Sequence, residues 1–484
     1  MYDVVVVGGG IGGLTTAALL SARGVKTCLL ERQSQVGGCI GKVEFAGYEF
    51  EPGMGLYTSW GTGEIYDQIF AELSSTPPQA MLIDSDYVIR FDNDIALKKV
   101  AGAFDEELRK AFPDCAQAAV DFYTIVSRIS QARALRASSV RSTGFLSRTF
   151  KRLRPESQLP DDLVAAETRT AHSFASNTSP RFQRFIDAQL QALLHTSIDR
   201  CTFLQACSVL SLLRCDLYSL AGGISALADA LADAIRLTGG VVRFNAPVLR
   251  LAYDDKGMAV GVDLLSGERV FAKHAIISNL TVWDTYGKMV GLNRTPSTIK
   301  TELGKLETRG AYVIYAAVEE SAAARLPARN FLVALEKDSV EQNISDEITF
   351  SIGQRSLEGK WPATIKAATD VAPWFSFQTT EEDYEARDQQ TLEALWARLH
   401  SAVPELGAGI EVIETANPRT YYDQTRRKLG MVMSLEKPPG FAGMVDSMET
   451  SIPNLFIVGD TVTPGFGISS VAYSALQLAD QLTK

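Results

Sequence analysis

Met1-Tyr2-Asp3-Val4-Val5-Val6-Val7-Gly8-Gly9-Gly10-Ile11-Gly12-Gly13 opens the chain and decides its fold. The apolar run up to Val7 reads as a buried strand. It enters a glycine turn and then a helix with apolar Leu14, Ala17, Ala18 and Leu20. In such a unit Gly8 permits the tight turn, Gly10 lets a pyrophosphate approach the backbone, and Gly13 lets the helix pack on the strand. The helix N-terminus offers N–H groups and partial positive charge to phosphates. A second apolar run, Lys26 to Leu30, ends in Glu31, 18 residues past Gly13. That is close to the ~20 at which a carboxylate meets ribose hydroxyls. The pattern predicts an adenine dinucleotide held by the N-terminal part of the chain. It does not read as a signal peptide, because there is no basic leader and Val4 to Val7 is too short.

The chain has 484 residues, more than one compact core usually supports, so two or three subdomains are expected. Its 46% apolar and 21% charged residues are a globular composition. No run of ~18 apolar residues marks a transmembrane helix. The net charge of −10 argues against nucleic acid as a partner. Cys28, Cys39, Cys115, Cys201, Cys207 and Cys215 form no CxxC pair, which reads as free thiols in a reducing compartment. His172, His195, His274 and His400 lack metal-ligand spacing, so no metal site is predicted.

Charge is unevenly spread. Between Asp121 and Glu156 there is no acid, while Arg128, Arg133, Arg136, Arg141, Arg148, Lys151, Arg152 and Arg154 are all basic. Leu146, Phe150 and Leu153 fall on one helical face there. A basic helix with an apolar stripe suits an anionic membrane surface, and a solvated face is the plainer alternative. The expectation is a cytoplasmic protein, peripherally membrane-associated through Arg128–Arg154.

Periodicity divides the rest. Residues 1–75 hold the dinucleotide turn and a strand from Glu44 to Phe50; 76–214 read as mostly helical and irregular. In 215–284, Gly222-Gly223 opens a helix carrying Leu227, Leu231 and Ile235. Strands follow at Val241 to Phe244, Val248 to Leu251, Ala259 to Leu264 and Val270 to Ile277, with a hairpin turn at Asp254-Asp255 and Gly257. In 285–415, strands are expected at Tyr312 to Val318, Ile348 to Ile352 and Thr364 to Ala368, with a helix from Glu381 to Val403 capped by Thr380. Residues 416–484 contain the strand Leu455 to Val458 ending in Gly459-Asp460, then Thr463-Pro464-Gly465-Phe466-Gly467, then a helix from Ser469 to Leu482. An acid at the end of such a strand can accept hydrogen bonds from a polyol. The following helix N-terminus suits a ring that gains negative charge on reduction, as a flavin does.

Together these pieces resemble one family: the carotenoid desaturases, carotenoid isomerases and retinol saturases, FAD enzymes of the amine-oxidase-like superfamily. The resemblance rests on Gly8–Gly13, Glu31-Arg32, Val36-Gly37-Gly38-Cys39 and Gly47-Tyr48-Glu49-Phe50-Glu51-Pro52-Gly53. It continues through Ala221-Gly222-Gly223, Gly239-Gly240 with Asn245 and Val248, Gly261-Val262, Ser278-Asn279, and Gly459-Asp460 with Pro464-Gly465-Phe466-Gly467. Many bacterial desaturases carry arginine where this chain has Cys39, and lack the acid at Asp460. Both features are more similar to the isomerase and saturase branch.

The resemblance implies an α/β fold: a discontinuous Rossmann-like FAD-binding domain, a mixed-sheet substrate domain and a helical membrane-facing region. It implies FAD as cofactor, with Gly8, Gly9, Gly10, Ile11, Gly12 and Gly13 around the pyrophosphate. Glu31 would take the adenosine ribose, with Arg32 flanking the adenine. Gly38 and Cys39 would lie near the pyrophosphate and ribityl chain, the Val248 backbone at the adenine edge, Gly459-Asp460 at the ribityl or phosphate oxygens, and Ile468 near the ring. Cys39 reads as a small packed residue, since no base or cation stands beside it in sequence.

The expected activity is hydride transfer between flavin and a long apolar polyene, a carotenoid or related isoprenoid. Alternatives are a carotenoid cis–trans isomerase using reduced FAD, an amine oxidase, and a non-enzymatic prenyl-lipid carrier. No catalytic side chain is identified. Tyr57, Trp60, Tyr312, Tyr315, Trp374 and Phe375 are candidate tunnel walls, though aromatic residues are more often core.

Overall fold

The structure, a computed structural model, describes residues 1–83, 87–91, 94–98, 102–139, 161–334, 344–376, 380–432, 447–462 and 467–483. Its strands, in chain order, are β1 (Tyr2–Val7), β2 (Thr27–Leu30), β3 (Val43–Phe45), β4 (Tyr48–Phe50), β5 (Ala80–Ile83), β6 (Tyr87–Phe91), β7 (Asp94–Lys98), β8 (Leu217–Leu220) and β9 (Val241–Arg243). Then come β10 (Val248–Tyr253), β11 (Ala259–Leu264), β12 (Arg269–Ser278), β13 (Arg309–Glu319), β14 (Asn330–Ala334), β15 (Ile344–Ile352), β16 (Lys360–Asp370), β17 (Ile410–Ala416) and β18 (Leu455–Ile457).

The valine run of β1 lies between β12 and β2, parallel to both. A strand covered on both faces reads as continuous β-branched residues rather than as an alternating pattern. The helix Ile11–Ala22 covers one face of it and is itself buried from Ile11 to Ser21. Two further helices, Gly467–Thr483 and Ser225–Leu237, pack on its other side. Leu227, Leu231 and Ile235 are fully buried against it, and each contributes about 1.5–3 kcal/mol of apolar burial. β18 joins β12 in parallel, and β10, β11 and β12 form an antiparallel meander. The start, middle and end of the chain therefore close one sheet, the discontinuous α/β arrangement expected.

A second sheet runs β17-β13-β16-β15-β14-β6-β7. It is mixed: β14 and β6 are parallel and the other pairs antiparallel. The helix Glu381–Ala402 lies on one face, with Leu395 and Leu399 buried and Thr380 forming a capping box with Asp383. The helix Pro180–Leu194 packs on β14, β15 and β16 from the other. It belongs to a helical lobe around Phe112, Phe122, Phe182, Phe185 and Phe203, whose rings meet largely edge to face. Among the described residues no helix is long and apolar enough to cross a membrane.

Several expectations are corrected. The strand expected from Glu44 to Phe50 is a hairpin, because Ala46 (φ 49°) and Gly47 (φ 81°) both turn left-handed and fold β4 back on β3. Residues 76–214 are not only helical: β6 and β7 extend the second sheet. Arg90 hid β6 by breaking its apolar run. The fold buries this arginine by pairing it with Ala402 O at 2.7 Å and Glu405 Oε2 at 3.0 Å. β14 and β17 also went unread. Tyr312 and Trp374 are core under the Glu381–Ala402 helix rather than tunnel wall, and Phe375 packs beside them. Arg128 lies in the helix Ala116–Ser139. Arg141 to Arg154, the Leu146/Phe150/Leu153 stripe and Thr463 to Phe466 fall outside the described residues.

Candidate functional site

β1 delivers Gly8 into the turn at φ 98°. A Cβ on Gly13 would stand 2.2 Å from Gly8 O, so only glycine lets the helix start this close to the strand. Asn279 follows β12, the neighbour of β1, and its side chain fills the turn from below. Cβ atoms on Gly10 and Gly12 would come within 2.7 and 2.6 Å of its amide. The helix begins at Ile11 with Gly10 as N-cap and no side-chain cap. Its first-turn N–H groups lie at a turn of glycines, a cradle that fits a pyrophosphate.

Glu31 closes this cradle. Its Oε2 accepts the Gly9 N–H at 2.7 Å and its Oε1 the Gln33 N–H at 2.7 Å. Arg32 reaches outward and donates to the carbonyls of Asp423 at 3.1 Å and Gln424 at 2.5 Å. Gly37 donates to Gly9 O at 2.8 Å, which lays Gly38 (φ 60°) over Gly10. Val248 opens β10 beside Ala246, whose N–H reaches Glu31 O at 2.9 Å. Gly459 leaves β18 at φ 129° and lies on Gly12. Gly8, Gly9, Gly10, Ile11, Gly12, Gly13, Glu31, Gly38 and Gly459 thus converge on one spot; Arg32 and Val248 lie at its edge.

Asp460, next to Gly459, is held by Arg427, Nη2 to Oδ2 at 2.6 Å and Nη1 to Oδ1 at 3.3 Å. Arg427 also donates through Nε to Met431 O at 3.0 Å. Its charge reaches Cys39 and pulls that thiol down, but burial is the larger effect and leaves the thiol raised. No cation stands beside Cys39 in sequence; the tertiary fold supplies one. Ile468 sits in the first turn of the helix Gly467–Thr483, which is tied down by Ser469 Oγ donating to Thr58 O at 3.0 Å.

The segment from Glu51 to Trp60 keeps part of its surface accessible throughout, although burial dominates the shifts of Glu51 and Tyr57. Cys39, Arg427 and Lys366 are likewise partly accessible, with burial the largest influence on each. Glu51 Oε1 accepts the Tyr57 hydroxyl and the Ile224 N–H. Burial raises the carboxyl, and those two donors hold it partly back. A Cβ on Gly223 (φ 70°) would sit 2.7 Å from Glu51 Oε2, so the double glycine read as a helix start is also the seat of this carboxylate. Thr364 Oγ1 donates to Glu51 O at 2.8 Å and Ser351 Oγ to Gly53 O at 3.2 Å, which brings the turn onto the second sheet. Lys366 lies two residues from Thr364 on the same face, and burial lowers it to about 8. Phe45, Phe50 and Tyr315 pack beside this face, ring centroids 5.0–6.3 Å apart.

Sequence reasoning missed Glu51, Lys366, Asn279 and Arg427 as site residues, and offered Tyr57 only as a candidate tunnel wall. Glu51 and Asn279 stood inside motifs that were read for their glycines and strand ends. Lys366 and Arg427 stood in no motif at all.

A glycine cradle on a sheet built from distant parts of the chain, joined through the Glu51 turn to a second, mixed sheet, is an arrangement that suits a flavoprotein. The model of one family, described as flavin-containing amine oxidoreductase, matches residues 11–483, and the chain belongs to this family. It is 25% identical over 510 residues to the chloroplastic prolycopene isomerase of Daucus carota, covering 99% of this chain and 80% of that one. It is 21% identical over 521 residues to the all-trans-retinol 13,14-reductase of Danio rerio, covering 96% and 83%. A putrescine oxidase structure superposes with TM-score 0.67 at 14% identity over 99% of this chain and 98% of its own. The protein is an enzyme, a flavin oxidoreductase similar to the carotenoid isomerases and retinol saturases, and its cofactor is FAD.

Proposed function

We propose that this enzyme moves hydride between FAD and a long apolar polyene, a carotenoid or related isoprenoid. The apolar surroundings of the Glu51 turn carry the reading. Met54 and Leu56 pack on the apolar core of the helical lobe, and Phe50 and Tyr315 belong to an apolar cluster on the second sheet. Apolar surroundings of this kind exclude water and suit a conjugated chain. The whole-length similarity to enzymes named for prolycopene and retinol supports it.

In this reading Gly8, Gly9, Gly10, Ile11, Gly12, Gly13 and Gly38 hold the pyrophosphate. Glu31 takes the ribose, Arg32 and Val248 flank the adenine side, Gly459 and Asp460 meet the ribityl side, and Cys39 and Ile468 border the ring. Bound FAD supplies a hydride acceptor or donor. Desaturation removes a hydride and a proton from neighbouring carbons. Glu51, raised by burial and hydrogen-bonded to Tyr57, is the group of this chain placed to take that proton. The division into FAD-binding parts 1–75, 215–284 and 416–484, a helical region 76–214 and a substrate block 285–415 is part of the same proposal. So is docking of the basic segment Arg128–Arg154 on an anionic membrane.

The test is expression in a polyene-producing host with pigment analysis by chromatography and mass detection. A product changed by two hydrogens supports net redox. A product of unchanged mass and altered retention supports isomerisation. Unchanged pigments overturn the substrate class. Amine oxidation is the second reading, favoured by the family model, which is described as flavin-containing amine oxidoreductase. It would show as peroxide released from amines.

A further inference from the structure

Asp284 is 5% exposed and lies shortly after Asn279, whose side chain fills the glycine turn. Its Oδ2 accepts the Thr281 hydroxyl at 2.6 Å and the Lys428 N–H at 3.1 Å, and its Oδ1 pairs with Lys288 Nζ at 2.7 Å. A buried carboxylate is costly unless it is paired in this way, and its partners show what it holds. Lys428 is the residue after Arg427. At the other end of the same turn, the Val282 N–H donates to Thr461 Oγ1 at 3.2 Å, and Thr461 is the residue after Asp460. Thr281 and Thr461 are buried as well. The turn Thr281–Asp284 therefore grips the neighbour of each member of the Arg427–Asp460 pair. The segment that carries Arg427 is also tied down just upstream. Arg32 donates to the Asp423 and Gln424 carbonyls, Gln33 Nε2 to Gln424 O at 2.6 Å, and Lys288 Nζ to Arg426 O at 3.3 Å. These carbonyls close the helix Pro418–Thr425, where cationic donors are favoured. The segment follows β17 of the second sheet, whereas its ties come from residues after β2 and β12 of the first.

We infer, resting on the reading of Asp460 as a cofactor contact, that Asp284 is a positioning residue of the FAD site. It holds Lys428 so that Arg427 faces Asp460, and Lys288 is both its counter-ion and a second tie on the same segment. Asp284 touches neither cofactor nor substrate; it acts through Arg427. A guanidinium that grips a carboxylate through two nitrogens has a fixed geometry, so releasing the Arg427 backbone loosens the grip even though both side chains remain. The acid beside Gly459 then loses its fixed place at the cradle.

The test is a double-variant cycle on the flavin-loaded enzyme. FAD release on dilution is followed by flavin fluorescence, and Tm is measured for each variant. Asp284→Ala should weaken FAD binding about tenfold, the range of one charged hydrogen bond. Asp284→Asn keeps an oxygen for the Lys428 N–H and should recover part of that loss. In an Arg427→Met background Asp284→Ala should cost little further, because both changes break one chain of contacts. A merely structural role would give the same loss of affinity in both backgrounds, and that result overturns the inference, as does native affinity in Asp284→Ala. If Asp284→Ala does not fold, half-exposed Lys288→Met makes the same comparison: a loss that vanishes in the Arg427→Met background supports the inference, and an undiminished or absent loss overturns it. If Arg427→Met itself keeps native affinity, the reading of Asp460 as a cofactor contact falls and this inference with it.

Discussion

Arg427 grips Asp460 through both terminal nitrogens, at 2.6 and 3.3 Å, although 33 residues separate them in sequence. The pair joins the loop after the helix Pro418–Thr425 to the end of β18, beside Cys39 and the glycine cradle. Both side chains are more than two-thirds buried, 17% and 31% exposed. The arginine therefore sets the position and charge of the acid that follows Gly459.

Removing one partner of such a pair leaves a charge poorly compensated. Arg427→Met is expected to weaken FAD binding by about 10- to 100-fold, corresponding to about 1.4–3 kcal/mol. Asp460→Asn should weaken it less, because the amide still accepts one of the two hydrogen bonds. Flavin fluorescence titration of the apoenzyme measures both. Native affinity in Arg427→Met would rule out this positioning role.

Gly10 and Asn279 should be coupled. Gly10→Ala drives a methyl to 2.7 Å from the Asn279 amide and is expected to lower flavin content and Tm. Adding Asn279→Ala should recover part of the loss, since the obstacle is a side chain. Gly13→Ala should recover nothing, because its obstacle, Gly8 O at 2.2 Å, is backbone. Additive losses at Gly10 and Asn279 would contradict the geometry.

Lys366 predicts a pH signature in stability. Its pKa is lowered from 10.5 to about 8 by burial, so between those values the unfolded chain binds the extra proton. Stability contributed by this site therefore rises as pH increases through that window. Denaturant unfolding of native and Lys366→Met enzyme across pH 7–11 checks it: the native protein should gain stability relative to the variant. Parallel curves would show that the amine is not desolvated.

Glu51→Gln should keep the Tyr57 and Ile224 contacts while removing a proton acceptor. Turnover on a polyene is expected to fall by about 10²-fold or more with flavin content unchanged. Because the folded carboxyl is raised, native activity should lose its carboxylate as pH falls through a value above the ordinary 4.5, and the variant should lack that limb. Full activity of Glu51→Gln would remove the residue from proton transfer.

Local pattern was enough to determine the nucleotide half. Val4 to Val7 with Gly8–Gly13 and Glu31 is a local unit whose parts touch within two neighbouring strands, a turn and a helix, and the meander from Val248 to Ser278 and the Thr380-capped helix obey the same short-range rules. Tertiary structure decided what no local rule reaches. Arg90 could be strand only because Glu405 and Ala402, more than 300 residues on, take its charge and hydrogen bonds. Asp460 acquires Arg427, Cys39 acquires a cation and Glu51 acquires a seat at Gly223, each through contacts between distant segments. Strand and turn propensities act over a few residues, whereas charge pairing and desolvation depend on which surfaces the finished fold presses together.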